Sequence, residues 1–490
     1  MRKKRFLFVH DIYYPNPGTC YLSAGLKKRG FETDVIFLDT LDAVIHRIKE
    51  YDPAMMGLYC SISNEPVVKA FCEIVSPYFP NVPIVIGGHQ PTYCLERFKG
   101  SSGIDYICYG EGDYALPELV SEVYEGKPIQ IGGIKNLVIN TPEALEHFGV
   151  PEKIDFVSDL DSLPFPDYGI YYDKKMFFSE RYVIITTRGC PFSCAYCYCS
   201  LSRFKKLRRH SPEYIIEFLR VLINSYGKRS SVVFADDLFV YEKNWFARFA
   251  ELYRRQIDIP YQCHVSPSIF DEDYARMLRE SGCFSVLFGI ETGNEKLRRS
   301  ILKRNTKDKA IYETASLCRH HKIGMITYNM IGLPEETLEH SFETLEMNRR
   351  IKPDFAICSI YHPFPHTPLA EYAIERKLVE REEIISAPYA QHEESILHKP
   401  FIREQTNLQK FFPLAVRFPF LLPVIRLLIT WKPNRIYDVI FKLQYVYLTL
   451  RYYRRSVMFV LRFGWSYYRQ KTMRRLYCEK YRKSQRVVHD

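Results

Sequence analysis

Short apolar runs alternate with amphipathic stretches along the first 120 residues. Continuous apolar runs of this length are typical of buried strands, and they occupy 6–10, 33–38, 54–60 and 83–86. Apolar residues at helical spacing occupy 21–29 and 66–79. Strands that alternate with helices at these distances predict an α/β fold, with a doubly wound, Rossmann-like parallel sheet that carries helices on both faces.

Glycines and polar residues follow several of these strands, at the edge where sheets of this kind bind ligands. The candidate ligand contacts at this edge are Ser61, Gly87, Gly88, His89, Gly110 and Gly112. Because glycine has no Cβ, these turns allow a bulky flat ligand to approach the backbone closely. His89 is equally suited to a hydrogen bond within its own loop.

A second series of strands and helices follows the Pro-punctuated stretch 160–167. Six strand candidates begin near residues 182, 231, 261, 284, 325 and 355, with helical stretches between them. The pattern therefore predicts four regions in the chain. These are a first domain at 1–150, a linker at 151–180, a second α/β domain at 181–375 and a helical C-terminal region at 376–490.

Three cysteines follow the apolar stretch that begins the second series. Cys190, Cys194 and Cys197 are spaced as CxxxCxxC, which can hold three irons of a 4Fe–4S cluster. Typical clusters of this kind use four cysteines, so the fourth iron would remain open to a ligand from outside the protein. A zinc site or an incidental cysteine cluster is the alternative. Cys199, two residues further on, is interpreted as structural.

The cysteine motif and its surroundings resemble the radical S-adenosylmethionine (SAM) superfamily. In that family SAM ligates the open iron, and an aromatic residue beside the last cysteine, here Tyr196, packs on the adenine. The run 288–293 is similar to the family's GiEs signature, whose acid, here Glu291, meets the ribose of SAM. Gly332 begins a turn similar to one that shapes the adenine pocket. The resemblance implies a partial (β/α)6 barrel for 181–375.

Three further strand ends carry weaker candidates. Asp236 could accept a hydrogen bond from the ammonium group of SAM, or it could cap its loop. Ser266, or else Ser268, stands where related proteins often carry a basic residue that pairs with the methionine carboxylate. His366 replaces a glycine of the family pattern; it could be a general base near the substrate, although a residue chosen for turn geometry is the favoured interpretation.

The first 150 residues resemble the cobalamin-binding domain of one radical SAM subfamily. Gly87-Gly88-His89 and the turn at 110–113 match that subfamily. The DxHxxG motif that supplies a histidine to cobalt in other cobalamin proteins is absent, and His10 lacks its spacing. Many members of the subfamily also lack this motif. A flavodoxin-like domain without a cofactor is the alternative.

Charge is concentrated at the C-terminal end. The chain has a net charge of +11, yet residues 401–490 hold 19 basic and four acidic residues, so the excess belongs to this segment. Prolines and Arg417 and Arg426 interrupt the apolar stretch 411–431, which disfavours a membrane-spanning helix. Residues 435–483 combine helical periodicity with basic and aromatic residues, Tyr452, Tyr453, Arg454 and Arg455 among them. An anionic membrane surface or lipid-like substrate is the favoured contact, followed by a plain helical cap and then by nucleic acid.

The resemblance implies an enzyme with a 4Fe–4S cluster, SAM and cobalamin as cofactors. Such an enzyme cleaves SAM reductively, and the 5′-deoxyadenosyl radical removes hydrogen from an unactivated carbon. Methylation of a hydrophobic small molecule is the favoured reaction, with flavodoxin or ferredoxin as reductant. A porphyrin-type radical cyclase and a non-catalytic iron–sulfur scaffold are the alternatives. Fourteen scattered cysteines without a secretory signal indicate the cytoplasm. Peripheral contact with the inner face of the membrane is the expectation from the C-terminal segment.

Overall fold

The computed structural model describes most of the chain as two compact units. The described residues are 3–11, 13–147, 154–174, 180–201, 206–386, 394–433, 435–451 and 456–487. The first unit is Met1–Ser179 together with Leu461–Asp490, and the second is Glu180–Val460. Tyr452, Tyr453, Arg454 and Arg455, named above for the C-terminal segment, lie outside the described residues, as do 151–153 and 175–179 of the linker.

The first unit is built on a doubly wound sheet, as the sequence predicts. Its strands are β1 Arg5–His10, β2 Glu32–Phe37, β3 Met55–Tyr59, β4 Ile84–Gly87, β5 Tyr106–Cys108 and β6 Leu137–Ile139. They lie in the order β2-β1-β3-β4-β5-β6. All the pairings are parallel except that of β6, which runs antiparallel to β5 at the edge. The strand order reverses between β1 and β3, where sheets of this kind form a ligand crevice.

Helices connect these strands. They are α1 Pro17–Lys28, α2 Leu41–Tyr51, α3 Glu65–Val75, α4 His89–Tyr93, α5 Ala115–Tyr124, α6 Pro142–His147 and α7 Gly169–Tyr172. The start of α1 shows why the sequence folds this way, since the Asn16 side chain accepts a hydrogen bond from the Thr19 amide and Pro17 lies in the first turn. Phe6 and Leu7 of β1 are fully buried, which explains the continuous apolar run.

The second unit contains the six parallel strands that the second series predicts. The strands of this unit are β7 Tyr182–Ile184, β8 Thr187–Arg188, β9 Arg208–Arg209, β10 Val232–Phe234, β11 Tyr261–His264, β12 Cys283–Glu291, β13 Gly324–Ile331 and β14 Phe355–Ile360. The main sheet has the order β14-β13-β12-β11-β10-β7, and β8 and β9 form a separate antiparallel pair. Consecutive parallel strands joined by helices match the partial (β/α)6 barrel.

The helices of the second unit alternate with its strands and then continue alone. They are α8 Pro212–Tyr226, α9 Lys243–Gln256, α10 Glu272–Glu280, α11 Glu295–Ser300, α12 Asp308–His320, α13 Leu338–Ile351, α14 Pro368–Glu375, α15 Arg381–Ser386, α16 Ile402–Arg417, α17 Leu422–Leu428 and α18 Arg435–Arg451. A last helix, α19 Val457–Val487, ends in the first unit. In the described residues, no helix is long and apolar enough to cross a membrane.

Helix α16 completes the core of the second unit. Its residues Leu408, Phe411 and Phe412 are buried in one cluster with Ile331 of β13 and Ile360 of β14. The apolar stretch that begins at residue 411 therefore contributes to the barrel's own core. The start of this stretch is therefore buried against the strands of the second unit, whereas a membrane-spanning helix would face lipid.

Helix α19 contributes side chains to the strand ends of the first unit. Arg474 hydrogen-bonds to the carboxylate of Asp11, which follows β1. Arg469 donates to Asp39, after β2, over 2.6 Å. The ring of Tyr477 lies 6.0 Å from that of Phe71 of α3. Long-range ion pairs thus join the last part of the chain to the first unit, and the predicted boundaries of the C-terminal region at 376–490 stay a prediction.

Replacement of Arg474 by glutamine tests this attachment. Asp11 is a nearly buried carboxylate, with 7% of its side chain exposed. We expect the free energy of unfolding to fall by about 2 kcal/mol, because a hydrogen bond to a charged group contributes roughly 1.5–3 kcal/mol. Urea unfolding followed by circular dichroism measures the change.

The matched control is Arg475→Gln on the same helix. Arg475 is exposed and pairs with Glu479 one turn away. An exposed pair of this kind contributes about 0.5 kcal/mol or less. Equal losses of stability in the two variants would contradict an attachment through Asp11.

Candidate active site

Cys190, Cys194 and Cys197 lie on the loop between β8 and β9 of the second unit. Cys194 is buried and the other two are half-buried. Among the described residues, these three sulfur atoms do not form a group with all members within 4.8 Å of one another. One zinc ion would hold its thiolates roughly 3.8 Å apart, since each Zn–S bond is about 2.3 Å. In a 4Fe–4S cluster each thiolate binds a different iron, so the three thiolates need not lie as close together as the ligands of one zinc ion.

Asp236 holds the backbone that leads into the cysteine loop. Its carboxylate accepts hydrogen bonds from the amide and hydroxyl of Thr186 at 2.7 and 2.9 Å. It accepts two more from the amide and hydroxyl of Thr187 at 2.6 and 2.8 Å. Burial raises the pKa of Asp236 to about 6, although these four donors lower it. Its contacts therefore favour the capping alternative, and its contact with SAM stays a prediction.

Arg304 is a candidate that the sequence analysis missed. Its guanidinium donates to the carbonyl of Gly289 over 3.0 Å and lies 3.8 Å from the sulfur of Cys194. Its Nη1 atom also lies 4.0 Å from Oε1 of Glu291. The basic pair at 303–304 after α11 was the available signal, but its burial beside a cysteine cannot be recognised without the fold. Arg304 thus joins the cysteine loop to the acid of the GiEs-like run.

Glu291 lies at the end of β12 in an unusual backbone conformation. Its φ of 66° is in the left-handed region, and the pairing register of β12 with β13 shifts just before it. The hydroxyl of Tyr196 donates to Oε1 of Glu291 over 3.0 Å. Burial raises the pKa of Glu291, and the charge of Arg304 opposes the increase. Non-glycine residues held in this region cost free energy and cluster at functional sites.

A cavity of about 350 Å³ opens beside Cys194. Ser266, Ser268 and Arg304 are among its lining residues. The hydroxyls of Ser266 and Ser268 lie 2.8 Å apart. Ser266, a predicted SAM contact, therefore lines the same cavity as Arg304. A guanidinium with two hydroxyls is a donor set that suits a carboxylate group.

Gly332 allows helix α16 to pack closely against the end of β13. Its φ is 76°, and a Cβ at this position would lie 3.1 Å from Cδ1 of Ile402. The turn is also held from within, because Glu336 accepts a hydrogen bond from the amide of Leu333 over 2.9 Å. Lys399 donates to the carbonyl of Glu336 over 2.6 Å. The observed reason for glycine here is thus the protein's own packing.

His366 is exposed on the loop after β14, although most residues of this loop are buried. Its φ of 64° is in the left-handed region that glycine adopts without cost. This conformation explains why the family pattern has glycine at this position. In this chain the turn keeps the same conformation with histidine. It favours the turn-geometry interpretation, and a catalytic role for His366 stays a prediction.

In the first unit, the loop after β3 is tied to the end of β1. The amide of Ser61 donates to Oδ1 of Asn64 over 2.7 Å. Nδ2 of Asn64 donates to Asp11 over 2.9 Å, and Asp11 is the partner of Arg474. Ser61, a predicted ligand contact, is therefore positioned by a chain of hydrogen bonds that reaches helix α19.

The glycines at the strand ends differ in what surrounds them. Gly88 has a φ of 111°, and a Cβ there would lie 2.7 Å from the carbonyl oxygen of Cys60. Gly110 has a φ of 69°, and its Cβ would lie 2.4 Å from Ile154. Gly87 has more room, with its nearest neighbour at 3.5 Å, and Gly112 would meet its nearest neighbour at 3.2 Å. Packing within the protein thus requires glycine at 88 and 110, and a role in ligand approach stays a prediction.

Two histidines lie near this edge, in different environments. His10 is buried, with its ring nitrogens 3.1 Å from the Thr19 hydroxyl and 3.2 Å from the Tyr171 hydroxyl. Burial lowers the pKa of His10 to about 4. Since both nitrogens have partners, this histidine does not supply a free ligand to a metal. His89 is exposed, and its Nδ1 lies 2.9 Å from the Tyr59 hydroxyl.

Two family models match separate parts of the chain, one in each unit. A model of the B12 binding domain matches residues 10–120, and a model of the radical SAM superfamily matches residues 184–347. An uncharacterized methyltransferase of Pyrococcus horikoshii is 29% identical over 377 residues, which are 74% of this chain and 80% of that protein.

Two further proteins are similar over most of the chain. The anaerobic magnesium-protoporphyrin IX monomethyl ester cyclase of Rubrivivax gelatinosus is 25% identical, over 74% of this chain and 69% of its own. The structure of the radical SAM methyltransferase TsrM from Kitasatospora setae, with cobalamin and a 4Fe–4S cluster bound, superposes with a TM-score of 0.62 at 21% identity. That superposition covers 77% of this chain and 76% of TsrM, and it supports the fold.

The buried carboxyl of Asp236 predicts a pH dependence of stability. Its pKa of about 6 exceeds the ordinary value of 3.8, so the folded state binds a proton more tightly than the unfolded state. The stability of the cluster-free protein should therefore fall by roughly 3 kcal/mol, from this group, as the pH rises from about 4 to about 6. Urea unfolding at several pH values measures the slope. In Asp236→Asn this part of the slope should disappear, and a slope identical to that of the parent would contradict the assignment.

Proposed function

The chain belongs to the cobalamin-binding radical SAM enzymes, and we propose that it methylates an unactivated carbon of a hydrophobic, lipid-like substrate. The observation that carries the proposal is the position of Arg304, which lines one cavity with Cys194 and also lies 4.0 Å from the carboxylate of Glu291. The similarity to a methyltransferase over 74% of the chain supports methyl transfer over the alternatives. A porphyrin cyclase of comparable coverage keeps ring formation as the second candidate.

The chain's own residues fit the polar parts of SAM. Arg304, with the hydroxyls of Ser266 and Ser268, provides donors for the methionine carboxylate. Glu291 offers carboxylate oxygens to ribose hydroxyls, and Tyr196 contacts its Oε1 atom, which limits the orientation of the acid. Bound cofactors supply the hard chemistry, with the cluster delivering an electron for SAM cleavage and cobalamin carrying the methyl group. The protein orients these groups and excludes water.

The first unit offers a cobalamin site at the carboxyl edge of its sheet. Ser61, Gly87 and His89 lie at the ends of β3 and β4, beside the reversal of strand order. His10 is engaged with Thr19 and Tyr171, so we propose that cobalamin binds here without a histidine ligand from position 10.

The proposal also includes the partners of the enzyme. SAM cleavage needs an external one-electron reductant, for which flavodoxin or ferredoxin is suited. A cytoplasmic location is supported by the cysteines, since all fourteen are free thiols in the structure. A lipid-like substrate would be reached at a membrane surface, and the basic C-terminal segment is the part of the chain that we propose makes this contact.

Removal of single cysteines tests the cluster assignment. We expect Cys194→Ala, purified and reconstituted without oxygen, to lose its bound iron and all release of 5′-deoxyadenosine from SAM with dithionite, because the cluster needs three thiolates. Cys199→Ala is the matched control and should keep both properties. Iron analysis and chromatography of the products measure the outcome. Loss of iron in Cys199→Ala with retention in Cys194→Ala would contradict the assignment.

The parent protein, reconstituted in the same way, distinguishes methylation from ring formation. SAM carrying a deuterated methyl group is incubated with membrane lipid extract or with magnesium-protoporphyrin monomethyl ester as probe. Transfer of the labelled methyl group to a lipid supports the proposal, and ring formation on the porphyrin without methyl transfer overturns it. A protein that retains iron but releases no 5′-deoxyadenosine is a scaffold, which also overturns it.

Replacement of Arg304 tests the proposed carboxylate contact. In Arg304→Gln the dissociation constant for SAM should rise roughly 10- to 100-fold, because a hydrogen bond to a charged group is lost. Equilibrium dialysis against labelled SAM measures it, with iron content determined in parallel because Arg304 also contacts Cys194. The control is Arg299→Gln, an exposed arginine of α11. Unchanged affinity at full iron content would exclude Arg304 from the site.

A further inference from the structure

Helix α17, the residues on either side of it and helix α18 expose a series of large apolar side chains in the second unit. We name this the C-terminal apolar surface and define it by Phe420, Val424, Leu427, Trp431, Val439 and Leu443. Phe420 is 75% exposed, and each of the other five is more than half exposed. Val424 and Leu427 lie one turn apart on α17, and Val439 and Leu443 lie one turn apart on α18. Isolated exposed apolar residues are common, but a series of this size marks an interaction site.

The same helices bury their opposite faces, so the exposed side chains are additional to the core. Ile425 and Ile429 are buried in the cluster that includes α16, and Tyr437 belongs to it as well. Leu448 of α18 is buried against β13 and β14. The helices are thus held in place by one face, and their outer face contributes no burial to the second unit.

Basic residues accompany the exposed apolar side chains. Between residues 417 and 451 they are Arg417, Arg426, Lys432, Arg435, Lys442 and Arg451. Asp438 is the acidic residue in this stretch of sequence, and it pairs with Lys410 of α16 at 3.3 Å. Arg426 pairs with Glu339 at 3.5 Å. The surface therefore combines an apolar face with a marked excess of positive charge.

We propose that the C-terminal apolar surface binds peripherally to membranes that contain anionic lipids. Apolar and aromatic side chains enter the boundary between headgroups and acyl chains, while basic side chains contact the phosphates. A second copy of the chain would bring two positive faces together, which repel each other. Nucleic acid would satisfy the charge but would leave the apolar side chains in water. The proposal names the lipid chemistry of the membrane contact proposed above, and it does not depend on methyl transfer.

Sedimentation with lipid vesicles tests the proposal on the reconstituted full-length protein. The probes are vesicles of phosphatidylcholine alone and vesicles with phosphatidylglycerol added. We expect binding to the anionic vesicles that is at least about tenfold stronger than to neutral ones and that weakens as salt is added. Leu427→Glu/Leu443→Glu should reduce anionic binding at least about tenfold, because charges replace two apolar contacts.

The control places one such charge on an exposed apolar position outside this surface. Val221 of α8 is 39% exposed, and Val221→Glu should bind vesicles as the parent does. Thermal unfolding and iron content of both variants confirm that the fold is kept. Release of 5′-deoxyadenosine is measured without vesicles, so a failure of the proposed enzyme activity is distinguished from a failure of membrane binding.

Three results would overturn the proposal. The first is equal loss of vesicle binding in Val221→Glu and in the double variant. The second is a dimer in light scattering that Leu427→Glu/Leu443→Glu dissociates, which assigns the surface to a second copy. The third is binding of double-stranded RNA or DNA that the double variant loses while vesicle binding remains.

Discussion

The guanidinium of Arg304 allows negative groups to lie together at the centre of the second unit. It is held between the sulfur of Cys194 and the carboxylate of Glu291, and all three are largely withdrawn from water. A charge buried without a partner costs several kcal/mol, and the arginine stays protonated, so it needs negative groups beside it. Metal-binding cysteines must be deprotonated, which adds further negative charge to this place. The positive charge of Arg304 therefore stabilises a thiolate, an acid and an anionic ligand close to one another.

Geometry around the cysteine loop depends on a second buried charge. Asp236 receives four hydrogen bonds from Thr186 and Thr187, and these residues directly precede the turn that leads into Cys190. A loop would otherwise be among the more mobile parts of a fold. Here Asp236, which follows β10, fixes the backbone position of Thr186 and Thr187. The loop that carries the three cysteines therefore starts from a fixed position. The acid thus acts through the loop, as a positioning residue, while its exposed neighbour Asp237 lies 3.8 Å from the sulfur of Cys199.

The sequence predicts the strands and the cysteine motif because these signals are local. A continuous apolar run such as 6–10 requires burial wherever it lies in the fold. The CxxxCxxC spacing indicates cluster ligation by itself, because all three ligands lie within eight residues. The partner of a charge is not local. Asp236 and Thr186 are fifty residues apart, and Arg304 and Cys194 are farther apart still. Gly88 and Gly110 were predicted as ligand contacts. A Cβ at these positions would collide with Cys60 and Ile154, and a single sequence does not reveal this internal packing.

The C-terminal segment shows how one composition can serve two environments. Apolar residues occur on nearly all sides of residues 418–448, and a helix of this kind is normally buried on every side. In this structure Ile425 and Leu448 face a core, whereas Leu427 and Leu443 face solvent. Periodicity alone cannot separate these two faces, because both are apolar. The exposed apolar face can remain in solution because basic residues lie beside it, and their positive charge makes copies of the surface repel each other. A membrane with anionic lipids contacts both the apolar and the basic side chains.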